Sequence, residues 1–230
     1  MPTLATTLTL TSGLVAIEAA RAGSWDVSLG LILLAMVADG VDGPLARRLG
    51  ATSTLGEQLD SLADVIAFAV APAFLFSTYY VGTATPVRLG VALAFVLAGA
   101  FRLARFHAQP IRGAFSGLPT TVAGPLLGIT VAGPFGASVR EAGAIGLGLA
   151  ALMVCHHPFP TLARSPRWFL PAIIAALLPV GLWPQIETLA IVAAVTLGAY
   201  VLWSLIIQIV NDDGRGTDVE EVRRVVGRLP

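Results

Sequence analysis

Apolar residues run along this chain in blocks of about twenty, separated by short clusters of Gly, Pro and charge, and a bilayer-spanning helix needs about that many mainly apolar residues. The blocks lie near 4–21, 26–48, 54–80, 87–107, 118–137, 140–158, 168–184 and 187–210. They predict an all-α fold, a polytopic membrane helical bundle of about eight transmembrane helices. The links, such as Gly23 to Trp25, Gly82 to Pro86, Pro110 to Gly113, Pro134 to Gly136 and Pro158 to Pro166, are turn-rich and too short to hold another domain. After Val210 the text changes to Asn211-Asp212-Asp213-Gly214-Arg215-Gly216 and a charged stretch. The chain therefore divides into a transmembrane domain over 1–210 and a charged cytoplasmic tail over 211–230.

Composition sharpens this picture. Of 230 residues 56% are apolar and 12% charged, where soluble domains carry about 25% charge. All 14 basic residues are arginine, and with eight spans eleven of them fall on the side that holds both termini, leaving Arg21, Arg88 and Arg140 opposite. The positive-inside rule then places both ends in the cytoplasm. Net charge is zero and no basic run appears, so nucleic acid is not expected as a partner. The lone Cys155 cannot form an internal disulfide. The start, Met1 to Gly13, lacks a basic stretch and a cleavage pattern, so the first apolar block is expected to be retained. No internal repeat is evident, which weighs against an inverted-repeat transporter.

The chemistry concentrates in one place. Of 14 acidic residues, Asp39, Asp42, Glu57, Asp60 and Asp64 share a single apolar stretch, and none follows until Glu141. A carboxylate at membrane depth costs roughly 2.5–3.5 kcal/mol, so the group calls for a polar cavity and a neutralising cation. Asp39 and Asp42 stand three apart on one helix and Asp60 and Asp64 four apart on the next, so each pair shares a helix face. A turn near Arg48 to Ser53 brings the faces together as an all-oxygen site suited to Mg2+ or Mn2+. Four carboxylates have room for two ions, which would clamp a pyrophosphate, and a carboxylate at the edge could deprotonate an alcohol. Gly40, Gly43 and Ala46 strip bulk from one helix and Gly56 from the other. Arg47 adds a bidentate phosphate donor.

As a string, Asp39-x2-Asp42-Gly43-x2-Ala46-Arg47-x8-Gly56-x3-Asp60-x3-Asp64 resembles the signature of the CDP-alcohol phosphatidyltransferase family, with every defining position filled. The resemblance implies a dimeric helical membrane enzyme in which Asp39, Asp42 and Asp60 bind the metals. It implies that Asp64 acts as base near the acceptor hydroxyl and also touches a metal, and that the CDP-lipid is held by Gly43, Ala46, Arg47, Ser53 and Gly56. The surrounding text is most similar to the serine-using, membrane-embedded branch of the family, through Ala51-Thr52-Ser53, Leu59-Asp60-Ser61-Leu62-Ala63-Asp64, Phe68-Ala69-Val70-Ala71-Pro72, Phe101-Arg102-Leu103-Ala104-Arg105-Phe106 and Phe115-Ser116-Gly117-Leu118-Pro119. The implied partners are CDP-diacylglycerol, L-serine, membrane lipids and a second copy of the chain. The implied location is the inner cell membrane, with the site facing the cytoplasm. Thr3, Thr9 and His107 stand where such synthases often carry asparagine, which leaves glycerol phosphate, inositol phosphate or another amino alcohol as alternative acceptors and an archaeal ether lipid as alternative donor. A divalent-cation transporter built on the same acids is the reading from another class.

The remaining polar residues divide between two roles. Arg102 and Arg105 either snorkel to the interface or bind the acceptor carboxylate or the lipid phosphate. Glu57 either orients a ligand or faces water, and Glu18 is expected to snorkel. Pro44 is expected to kink its helix. His156 and His157 diverge on a helix and make a poor metal pair. Trp25, Trp168, Trp183, Trp203, Tyr79 and Tyr80 suit interface anchoring, and Gly124 and Gly128 suit helix packing or a dimer contact.

Overall fold

The computed structural model describes residues 4–49, 54–108, 114–155, 158–160, 191 and 193–204, with the backbone path alone at 41–49, 107–108, 114–116 and 158–160. The apolar blocks become helices close to their predicted limits: α1 over Leu4–Arg21, α2 over Trp25–Leu49, α3 over Thr54–Asp64, α4 over Ala71–Tyr79, α5 over Thr85–Ala108, α6 over Thr120–Ala132 and α7 over Val139–Val154. A further apolar helix, α8, covers Ala193–Ser204. The predicted span 168–184 and the tail 211–230 lie outside the described residues. α2 continues as one helix through Pro44.

One departure from all-α is a small antiparallel ladder. β1, Ala114–Ser116, pairs with β2, Pro158–Pro160, in the register Phe115 opposite Phe159. Three-residue strands are too short to show a period-two pattern, so no hydropathy signal announced them.

Among the described residues two helices are long and apolar enough to cross a membrane by length and composition, Thr54–Tyr79 and Thr85–Phe106. The first contains 26 residues, about 39 Å at 1.5 Å per residue, against a hydrocarbon core of about 30 Å. On α5 the outer face is apolar and open, with Leu93 58%, Leu97 66% and Phe101 58% exposed. In water such a face would be a liability, whereas in a bilayer it is the expected exterior. The chain is read here as a membrane-embedded helical bundle.

The first crossing helix is not uniformly α-helical. Between α3 and α4 the residues Val65–Val70 form a π-helical segment, with the Ala71 N–H bonded to the Ile66 carbonyl five residues back. Pro72 gives the cause: its ring has no N–H for the Phe68 carbonyl and would collide with it in a regular α-turn, so the preceding turn widens. Neighbouring helices close on this segment with glycine. A Cβ on Gly13 of α1 would lie 2.8 Å from Ala67 Cα, on Gly99 of α5 2.8 Å from Ala69 Cβ, and on Gly124 of α6 2.4 Å from the Phe68 carbonyl oxygen. Gly124 is thus spent on packing inside the chain, as is Gly128 against Leu29 and Ile32. The core around the segment is Leu29, Ile32, Leu75, Phe76, Phe95 and Leu127.

At the Trp25 end of α2 three of the expected anchors, Trp25, Tyr79 and Tyr80, form one aromatic group, while Trp203 stands on α8 and Trp168 and Trp183 lie outside the described residues. Trp25 meets Tyr79 edge-on with ring centroids 4.9 Å apart, and Tyr80 donates to the Ala137 carbonyl at 2.6 Å. Glu18 pairs with Arg21 one turn on, at 2.5 Å, which neutralises it locally.

Candidate metal and phosphoryl-transfer site

α2 and α3 are joined by a short link, so they run antiparallel and bring their acid-bearing ends together. Asp39 on α2 and Asp60 and Asp64 on α3 each offer a carboxylate oxygen to a common point, the three oxygens lying within 4.8 Å of one another. Their burial is graded: Asp39 and Asp60 are half-buried, whereas Asp64 is 9% exposed. The Asp39 and Asp64 carboxyls are in hydrogen-bond contact, and one Asp64 oxygen, Oδ1, is fully buried with no hydrogen-bond partner among the described residues.

Three carboxyl groups this close repel one another unless something positive lies between them. A Mg2+ octahedron spans roughly 4.2 Å, twice its metal–oxygen distance of about 2.1 Å. The three oxygens lie within 4.8 Å of one another, a spacing that small side-chain rotations would fit to such an ion. An all-oxygen donor set with an unsatisfied buried oxygen fits a hard divalent cation and gives it no softer ligand. Asp42, Gly43, Ala46 and Arg47 lie in the last turns of α2, and their side chains fall outside the described residues, as does Ser53. Gly56 sits one turn before Asp60 on α3 and is half-buried. Glu57 is exposed and is not in the cluster.

The two arginines of α5 part company. Arg102 is 5% exposed, so it does not snorkel. Its Nη1 donates to Thr120 Oγ1 at the start of α6 at 3.0 Å. Its guanidinium lies within electrostatic range of both Asp64 and Asp39. Arg105 turns instead to the end of α7, donating to the carbonyls of Val154 at 2.8 Å, Cys155 at 3.0 Å and Met153 at 3.2 Å. The Leu118 N–H takes the Leu152 carbonyl at 2.9 Å, and the Cys155 N–H takes that of Ala151. Every one of the last four carbonyls of α7 is therefore satisfied. Gly117 permits this contact, with φ of +81° and a Cβ position only 2.2 Å from the Met153 carbonyl. His156 and His157 lie outside the described residues.

Some residues at the site carried no motif. Thr120 is fully buried as the acceptor for Arg102, and Tyr200 of α8 is 1% exposed and within electrostatic range of the same guanidinium. On α1, Thr9 is fully buried and its Oγ1 has no partner among the described residues. Gly13 lies against Ala67, and α1 runs parallel to α3 because two short links separate them, so Thr9, one turn back, stands level with Ala63 and Asp64. Only a long-range contact map could have found Thr120 and Tyr200. Thr9 stands out in the sequence as a departure from the asparagine common in similar synthases, but nothing near it in the chain indicates its neighbours on α3.

Known proteins with the same text fall in one group. A family model described as CDP-alcohol phosphatidyltransferase matches residues 1–211. A CDP-diacylglycerol–serine O-phosphatidyltransferase of Methanocaldococcus jannaschii is 44% identical over 100 residues, covering 44% of this chain and 47% of that protein. One of the same name from Mycobacterium leprae is 40% identical over 108 residues, 47% of this chain and 36% of that protein. An archaetidylserine synthase of Methanothermobacter thermautotrophicus is 37% identical over 126 residues, 54% of each. The matches thus span about half the length, or less, of these curated relatives. A family match over all of the described residues, on a chain in which three of the four motif aspartates converge as a divalent-cation site requires, leads to one statement: the chain belongs to the CDP-alcohol phosphatidyltransferase family.

Proposed function

We propose that the protein transfers a phosphatidyl group from CDP-diacylglycerol to L-serine, releasing CMP and forming phosphatidylserine. The observation that carries this reading is the convergence of Asp39, Asp60 and Asp64 within 4.8 Å, in electrostatic range of the buried Arg102. Asp42 completes the metal set from one turn along α2, giving four carboxylates for two Mg2+ or Mn2+ ions. Bound there, the ions supply charge neutralisation for the pyrophosphate. Gly43, Ala46 and Gly56 leave space for the nucleotide, while Arg47 and Ser53 donate to its phosphates.

The remaining chemistry belongs to the chain. Asp64, the most buried of the described acids, takes the proton of the acceptor hydroxyl. The alkoxide oxygen then bonds to the phosphorus that carries the diacylglycerol, and the bond from that phosphorus to the bridging oxygen breaks. CMP departs with the electron pair. Arg102, held by Thr120, faces the anionic part of the acceptor or the lipid phosphate. The protein works as an eight-span homodimer in the inner membrane, with the site open to the cytoplasm and acyl chains entering from the bilayer.

Purified protein with CDP-diacylglycerol and Mn2+ should release CMP in proportion to added L-serine, and Asp64→Asn should lower that release by about 10²–10⁴-fold. Folded protein that releases no CMP with any acceptor would overturn the proposal. The archaetidylserine synthase among the relatives favours one second reading, an ether-linked donor with the same acceptor. Running the assay with CDP-archaeol beside CDP-diacylglycerol separates the two.

A further inference from the structure

The last described helix brings to the site side chains that the signature does not contain. α8 buries Ala193, Thr196, Leu197, Tyr200 and Ser204, the spacing of one helical face, while Val195 and Leu202 stand open at 65% and 62%. On that face Tyr200 is in electrostatic range of Arg102. Ser204 follows one turn later, about 6 Å along the axis. It is fully buried, and its Oγ has no hydrogen-bond partner among the described residues. Thr11, Thr78 and Thr130 satisfy their hydroxyls on the carbonyl four residues back, whereas the buried Thr9 and Ser28 hydroxyls, like that of Ser204, do not. What distinguishes Ser204 is its place, one turn from Tyr200 on the face of α8 that meets Arg102, where an open buried hydroxyl can serve a ligand.

Arg102 points to the kind of ligand. Its neighbouring negative charges are Asp64 and Asp39. When divalent ions occupy that cluster, those charges are committed to the metals, and a cation buried at membrane depth requires a new anion. The acceptor alcohol can provide it, since its hydroxyl must sit at Asp64, beside Arg102. A guanidinium grips a carboxylate by one edge, and neutral hydroxyls complete the remaining lone pairs.

We propose that Tyr200 and Ser204 of α8, together with Arg102, form the subsite for the anionic group of the acceptor alcohol, the carboxylate in L-serine, and thereby set acceptor choice. This rests on the phosphatidyl-transfer reading above. An acceptor phosphate, as in glycerol 3-phosphate, shares the chemistry, whereas ethanolamine lacks the anion altogether.

The test uses the full chain in detergent with CDP-diacylglycerol and Mn2+, following CMP release against L-serine, glycerol 3-phosphate and ethanolamine. Tyr200→Phe and Ser204→Ala should each raise KM for the preferred anionic acceptor about 5- to 10-fold, leave KM for CDP-diacylglycerol unchanged, and reduce the preference for that acceptor over ethanolamine. Leu202→Ala, on the open face of α8, should change neither constant. If Tyr200→Phe does not fold, Ser204→Ala carries the test alone. An unchanged acceptor KM in an active, folded Ser204→Ala protein overturns the subsite and leaves phosphatidyl transfer standing, as does a parallel rise in both KM values. Wild-type protein inactive with every acceptor overturns the phosphatidyl-transfer reading and the subsite with it.

Discussion

The carboxylate cluster and the end of α7 are two places among the described residues where this apolar bundle gathers polar groups, and they differ in how those groups are satisfied. At the end of α7 each terminal carbonyl finds a donor, from Arg105, from Leu118 or from the helix itself. At the cluster, three carboxyl groups crowd together and Asp64 Oδ1 has no partner among the described residues. Satisfied carbonyls mark the end of α7 as architecture, whereas crowded carboxyl groups with an open buried oxygen mark the cluster as a site that a cation completes. Arg102 and Arg105 make the contrast within one helix. They are three residues apart, about 60° around the axis, yet one faces the acids and the other ties two helices together.

Substitutions should separate the two regions. The largest effect is expected from Asp64→Asn, a loss of about 10²–10⁴-fold in CMP release. Its thermal midpoint without metal should be unchanged or higher, because a mutually repelling carboxylate has been removed. A lowered midpoint would make Asp64 an architectural residue and erase the contrast. Gly117→Ala should do the reverse. Its Cβ would collide with the Met153 carbonyl in a backbone conformation that L-residues disfavour, so about 3 kcal/mol of stability should be lost. Thermal unfolding in detergent reads this directly, and activity per folded molecule should persist.

Metal itself comes next in size. At a hundred times its dissociation constant, Mn2+ should stabilise the wild-type chain by about 2.7 kcal/mol, and Asp60→Asn should lose most of that gain while keeping its metal-free midpoint. Equal stabilisation of both proteins would move the ion elsewhere. The smallest effect is expected from Arg105→Gln, about 1–2 kcal/mol from lost bonds to α7, with KM for L-serine unchanged. A selective rise in that KM would return Arg105 to the acceptor side.

How much of this was legible beforehand follows from the range of each interaction. Asp39, Asp60 and Asp64 could be grouped from spacing because helix periodicity is local and two short helices with a turn leave few alternatives. The helix limits Leu4–Arg21 and the start of α7 at Val139 followed from apolar runs bounded by Gly, Pro and charge, whereas α7 stops at Val154, short of the expected 158, and Pro158 opens β2. The π-helical segment had a visible cause in Pro72, but its consequence depended on Gly124 of α6 receiving the displaced backbone. The division of labour between Arg102 and Arg105 was not readable, since residues three apart share a helix face and their partners, Thr120 and the end of α7, are distant in the chain. Tyr200 was invisible for the same reason: nothing near it in sequence hints at Arg102.

The most direct test is a Mn2+ titration of metal-stripped wild-type and Asp60→Asn protein, with serine-dependent CMP release from CDP-diacylglycerol as the signal. A saturable rise in the wild type, with little or none in the variant, is the expected result. Full activity in the presence of excess chelator, or identical titrations for the two proteins, would contradict the assignment of Asp39, Asp60 and Asp64 as the metal centre of phosphatidyl transfer.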